Sequence, residues 1–161
     1  MKALLIFLSF VLVAASSHAQ ELKPFERGSK KAILSAHQGE PFILALWSLD
    51  CTYCRDDLVM LGKLQARHPK LKIVLVATDT PAQSNEIVTT IKDFHLQRAE
   101  PWVFADQFAE RLRNEVDPQW YGEMPRLYFF DAEGKSTAVS GKIEQKQIEK
   151  WLKVNKLASL R

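Results

Sequence analysis

Phe42-Ile43-Leu44-Ala45-Leu46-Trp47 is an unbroken apolar run, opened by Pro41 and closed by Ser48. A strand with one wet face would alternate apolar and polar residues, so a continuous run of strand length specifies a strand covered on both faces. Residues 71–77 repeat the pattern, with β-branched Ile73, Val74 and Val76 favouring extended backbone. Between the two runs, Leu58, Met60, Leu61, Leu64 and Gln65 recur at helical spacing until His68-Pro69, where proline stops the helix.

The rest of the chain continues the alternation. Residues 20–40 are polar and mixed, with Gly28 and Gly39 as breakers, and read as a lead-in holding one short strand or helix around 31–36. Thr80-Pro81 opens a helix, a capping hydroxyl before a proline in the first turn, and Ile87, Ile91 and Phe94 mark its inner face. A short strand follows at 102–104, then a helix over 107–116 with Phe108 and Leu112 inward. Arg126–Phe130 and 136–139 flank Asp131-Ala132-Glu133-Gly134, a hairpin with glycine at the turn. A last helix over 143–157 turns Ile148, Trp151 and Leu152 inward. The order β-α-β-α-β-α-β-β-α predicts an α/β domain, a central mixed β-sheet flanked by helices.

Ahead of this domain, Met1-Lys2 precedes a mostly apolar stretch over 3–15 and the small residues Ser17 and Ala19. One cation, a short apolar core and a small-residue site describe a secretory signal peptide over 1–19, cleaved after Ala19. Thirteen helical residues span about 20 Å, short of a bilayer core of about 30 Å. The expected mature chain, 20–161, is one domain in a periplasmic or otherwise exported compartment that permits disulfides. Removing Lys2 from a formal charge of +3 leaves +2, without a block of like charges, which gives no basis for a nucleic-acid partner.

Both cysteines of the chain, Cys51 and Cys54, fall where the first strand ends and a helix begins. A sulfur at Cys51 meets unpaired backbone N–H groups and the positive end of the helix dipole, which favour the nucleophilic thiolate. Cys54, one turn on, is placed to close a disulfide. Zinc would require a second ligand pair, and the four histidines show no paired spacing. Haem attachment would require histidine where Arg55 stands. A purely structural disulfide over so short a loop would contribute about 2 kcal/mol or less. Redox chemistry is the best-supported use, and a two-thiolate copper site is the alternative.

The stretches FILALWSLDCTYC, LKIVLVATD and EMPRLYFFDAEGK, with the closing helix, resemble the thioredoxin fold and within it the exported TlpA/ResA-like thiol-disulfide oxidoreductases. The resemblance covers most of residues 40–153. It implies a thioredoxin-like domain whose redox-active pair is Cys51 and Cys54, with Cys51 as nucleophile and Cys54 as resolving thiol. It further implies a cis proline at Pro125, with Tyr53, Met124 and Pro125 contacting substrate. The expected activity is reduction or exchange of disulfides in partner proteins, with a membrane redox partner, no added cofactor or metal, and a monomeric chain.

Five residues depart from the family pattern. Asp50 replaces the usual tryptophan before the first cysteine; its carboxylate either opposes the Cys51 thiolate or points to water or caps the helix. Ala45 stands where thioredoxin carries a buried acid, leaving Glu123 as the replacement candidate. Thr52-Tyr53 between the cysteines resembles the disulfide isomerases, which leaves the direction of electron flow open. Arg126, after the proline, is expected to extend into solvent, with pairing to Asp50 or Glu123, or contact with an acidic partner, as the alternatives.

Overall fold

The computed structural model describes residues 21–157; the signal peptide expected over 1–19 and its expected cleavage after Ala19 lie outside them. The elements are β1 (Lys23–Phe25), α1 (Ser29–Ala36), β2 (Phe42–Trp47), α2 (Thr52–Arg67), β3 (Lys72–Ala77), a 3-10 turn (Pro81–Gln83), α3 (Ser84–Asp93), β4 (Glu100–Phe104), α4 (Ala109–Val116), β5 (Arg126–Phe130), β6 (Ser136–Ser140) and α5 (Gln145–Val154). They form one six-stranded sheet in the order β1-β4-β3-β2-β5-β6. The β1, β4, β3 and β2 pairings are parallel, whereas β5 runs antiparallel to both β2 and β6.

The unbroken run in β2 has its explanation in this layering. Alternate residues point to opposite faces of a strand, and here both faces are dry. Ile43, Ala45 and Trp47 pack with Leu58, Leu61 and Leu64 of α2, Ile87 and Ile91 of α3 and Ile148 and Leu152 of α5. Phe42, Leu44 and Leu46 face the other way, onto Ile33 of α1 and Leu112 and Val116 of α4. Gly62, in the middle of α2, is required by close packing: a Cβ there would run into the carbonyl oxygen of Phe94.

Three local expectations change. The lead-in holds both a strand and a helix, because Lys23, Pro24 and Phe25 find a parallel partner in Trp102, Val103 and Phe104. So short a strand is defined by its neighbour, which local pattern does not reveal. Phe108 is 49% exposed and lies at the N-cap of α4, before the helical face begins. The guanidinium of Arg111 sits 4.2 Å from the centre of its ring. The helix expected from Pro81 starts as the 3-10 turn, closed by a Thr80/Gln83 capping box, and becomes α-helical at Ser84.

Candidate active site

β2 ends at Trp47 and, after three loop residues, Cys51 caps α2. Its Sγ accepts a hydrogen bond from the Cys54 N–H at 3.1 Å, so the sulfur stands where a capping oxygen usually does, at the positive end of the helix. Cys51 and Cys54 are joined by a disulfide with S–S 2.04 Å and Cα–Cα 5.3 Å. Cys54 is 1% exposed while Cys51 is partly open, so an incoming group reaches Cys51 first. Tyr53, on the same turn, is 71% exposed.

The parallel neighbour β3 holds the loop ahead of Cys51. Both Asp79 carboxylate oxygens accept from the Leu49 N–H at 3.2 Å, and the Thr78 N–H donates to the Trp47 carbonyl at 2.9 Å. Burial pushes the Asp79 carboxyl up; the Leu49 N–H and its own backbone counter this, and the charge of Asp50 adds to the rise. Asp50 itself is exposed at the loop tip. Asp79 was not among the expected site residues. Its signal was the Thr-Asp-Thr directly after a strand, since the residue that follows a parallel neighbour reaches the adjacent loop.

On the antiparallel side, the Met124-Pro125 peptide bond is cis. Leu46 opposes Arg126 in the β2/β5 register, which places Pro125 beside the end of β2, where the cysteine loop departs. Pro125 is buried and its carbonyl accepts from the Gly141 N–H at 2.9 Å. Met124 is half-buried, packs against both cores and receives the Thr78 hydroxyl at its Sδ at 3.6 Å. Cys51, Met124 and Pro125 thus share one end of the sheet, and Tyr53 projects from the same end.

Arg126 does not extend into solvent. Its guanidinium donates to Asp117 at 2.8 Å, the Tyr128 hydroxyl at 3.1 Å and Ser140 Oγ at 2.6 Å, and pairs with Glu123 at 3.6 Å. Glu123 is tied into the same network: its carboxylate accepts from Ser140 Oγ and the Tyr121 N–H. Its own backbone N–H, followed by these donors, holds its carboxyl below the usual range. A carboxylate so stabilised is a poor proton acceptor for a thiol.

A second acid lies on the buried side of α2. Asp57, one helical turn beyond Cys54, is 5% exposed, and its Oδ2 has no hydrogen-bond partner. Burial raises its carboxyl from 3.8 to about 6, aided by the charge of Asp56 and opposed by the Ile143 backbone and Lys142. The acid absent from Ala45 on β2 is therefore present on the helix that covers the same face. Arg55-Asp56-Asp57 reads as a solvated charge run, yet Asp57 shares the buried side of α2 with Cys54, Leu58 and Leu61. Counting three from Cys54 would have found it. Among the described residues no group of three or more His, Cys, Asp or Glu is placed to hold a metal ion.

No protein-family model matches the sequence, and no curated protein is significantly similar to it. Solved structures are similar in fold. A thiol:disulfide interchange protein of the thioredoxin family from Chlorobium tepidum superimposes with a TM-score of 0.60 at 16% identity, over 75% of this chain and 83% of that one. A secreted Mycobacterium tuberculosis disulfide oxidoreductase, described as homologous to E. coli DsbE, gives 0.57 at 20% identity over 74% and 85%. StoA from Bacillus subtilis gives 0.51 at 20% identity over 71% and 83%. The fold is thioredoxin-like, as the resemblance implied.

Proposed function

We propose that this chain is an exported thiol-disulfide oxidoreductase that reduces or exchanges disulfides of partner proteins through Cys51 and Cys54. The observation that carries the reading is the cysteine pair itself, with an accessible sulfur capping α2, a buried one behind it, and a buried carboxyl one turn further on whose Oδ2 has no hydrogen-bond partner. In the reduced form, the Cys51 thiolate attacks one sulfur of a substrate disulfide and expels the other as a thiolate. The Cys54 thiol then loses its proton to Asp57 and attacks the Cys51 sulfur. The substrate leaves with both sulfurs reduced, and the Cys51–Cys54 disulfide remains. Two electrons have passed to the substrate, so a membrane redox partner must return two, and no further cofactor takes part.

In this mechanism Met124 and Pro125 hold the substrate backbone beside Cys51 and Tyr53 covers its flank. Asp50 opposes the Cys51 thiolate, which argues against a strongly oxidising couple. Export rests on the amino-terminal segment and on the similar fold of a protein described as secreted.

The test is trapping in the native compartment. Cys54→Ser should accumulate mixed disulfides through Cys51, and the wild-type dithiol should reduce insulin. The reduction potential of the pair assigns direction, near about −270 mV for a reductase and about −120 mV for an oxidant. Tight Cu(I) binding with no turnover and no trapped adduct would replace this reading with a copper carrier.

A further inference from the structure

The two edges of the sheet are built differently. β1 has three residues and carries Lys23 and Pro24, a cation and a residue without an N–H, both of which deter strand pairing. At the opposite edge β6 runs Ser-Thr-Ala-Val-Ser, with neither charge nor proline, and every residue but the half-buried Val139 is exposed. A sheet that guards one edge and leaves the other open has an edge available for pairing.

The outward hydrogen-bonding groups of β6 can be assigned residue by residue. The Asp131 N–H donates to the Lys135 carbonyl and the Gly141 N–H to the Pro125 carbonyl, each at 2.9 Å. These two pairs flank a ladder in which Leu127 opposes Val139 and Phe129 opposes Thr137. Hydrogen-bonded and non-hydrogen-bonded pairs alternate in an antiparallel ladder, so Thr137 and Val139 turn their backbone groups toward β5. Ser136, Ala138 and Ser140 turn theirs outward.

A groove lies on each face of this edge. One, of about 300 Å³, is lined by Phe129, Thr137, Val139, Lys150, Trp151 and Val154. The other, of about 310 Å³, is lined by Val116, Tyr128, Phe130, Ser136 and Ala138, with Lys30. An added strand alternates its side chains between the two faces, so it drops successive residues into the two grooves while its backbone pairs with Ser136, Ala138 and Ser140.

We propose that β6 is a strand-addition site for an extended segment of a partner protein, apolar where it meets the grooves and acidic along its flanks. Charge selects this occupant. Lys150 and Lys30 line the two grooves and Lys135 and Lys142 stand at the strand ends, while the nearby carboxylates are already engaged, Asp117 by Arg126 and Tyr128 and Glu123 by Ser140 and Arg126. A second copy of this chain fits poorly. Antiparallel pairing of β6 with itself about Ala138 sets Ser136 opposite Ser140 and Thr137 opposite Val139, which brings no acid to Lys30 or Lys150 and no large apolar side chain to either groove. The site is independent of the redox reading.

The experiment uses the full oxidised chain and a synthetic ten-residue peptide with a central run of valine, leucine and threonine flanked at each end by aspartates. Amide hydrogen exchange followed by NMR should slow at least tenfold at Ala138 and Ser140 at saturating peptide, with Thr137 and Val139 unchanged because they already pair with β5. A peptide with lysine for aspartate should bind at least tenfold more weakly. Ala138→Pro, which removes one outward N–H, and Val154→Glu, which places an acid in the first groove, should each weaken binding tenfold while insulin reduction is unchanged. Unchanged exchange at Ala138 and Ser140, or equal binding of both peptides, overturns the proposal. Concentration-dependent dimerisation that protects the same amides without peptide overturns it in favour of a second copy.

Discussion

Replacing Asp57 by asparagine in the oxidised protein isolates a cost that the fold carries at neutral pH. Burial raises this carboxyl from 3.8 to about 6, and 1.36 kcal/mol per unit makes ionising it in the folded state about 3 kcal/mol more costly than in the unfolded chain. For a raised acid the sign is fixed. Below the unfolded value both states are protonated and no cost arises. Between about pH 4 and pH 6 the unfolded chain releases its proton first, so stability falls as pH rises, and above about 6 the full cost is present. Asparagine cannot ionise; any packing or hydrogen-bonding penalty it adds is constant with pH. Denaturant unfolding from pH 4 to pH 8 should therefore show the asparagine variant gaining about 3 kcal/mol relative to wild type across that range. The oxidised state keeps both thiols out of the titration. A stability difference that stays flat within about 0.5 kcal/mol would refute the assignment of Asp57 as a raised, buried acid. In single-turnover release of a mixed disulfide, the same variant should be slower by roughly a hundredfold, the usual scale for a lost general base.

Glu100 titrates in the opposite sense. The His37 ring, then Lys23, holds its carboxyl down from 4.5 to about 2 against the effect of burial, so Glu100→Gln should cost about 3 kcal/mol at pH 7. That deficit should fade as pH drops from about 4.5 toward 2, in denaturant curves taken across the acid range. Gly62→Ala should destabilise by about 1–3 kcal/mol despite the better helix propensity of alanine, because the obstructing Phe94 oxygen is backbone and cannot rotate aside; thermal unfolding would show it. Asp50→Asn removes an exposed negative charge next to Cys51, and should raise the alkylation rate of reduced Cys51 at neutral pH by up to about fivefold, the effect of about 1 kcal/mol in water.

The candidate site divides into what neighbours along the chain can reveal and what neighbours in space supply. Cys51 and Cys54 were legible because the end of a strand, three loop residues and the start of a helix are consecutive. Pro125 was reached through resemblance, since nothing local distinguishes a cis proline before a strand. Asp79 and Asp57 were missed for different reasons. Asp79 acts on Leu49 across a strand boundary thirty residues away, whereas Asp57 sits in a run of charged residues whose outward members hide its inward direction. Arg126 was placed in solvent because its partners Asp117 and Ser140 come together only when β5, β6 and the loop before them are assembled.

By itself the sequence determined the layered α/β order. Burial on both faces requires unbroken apolar strands, and helices with one dry face require apolar residues at intervals of three and four; both periods are written into consecutive residues. It also determined where the sulfurs sit relative to α2, because that too is local. Tertiary structure alone decided which acid is buried on the Cys54 side of α2, which carboxylate holds the Leu49 loop, and which sheet edge is left open. Those outcomes depend on strand order, register and burial, and each is set by residues far apart in the chain that meet only when the sheet closes around its core.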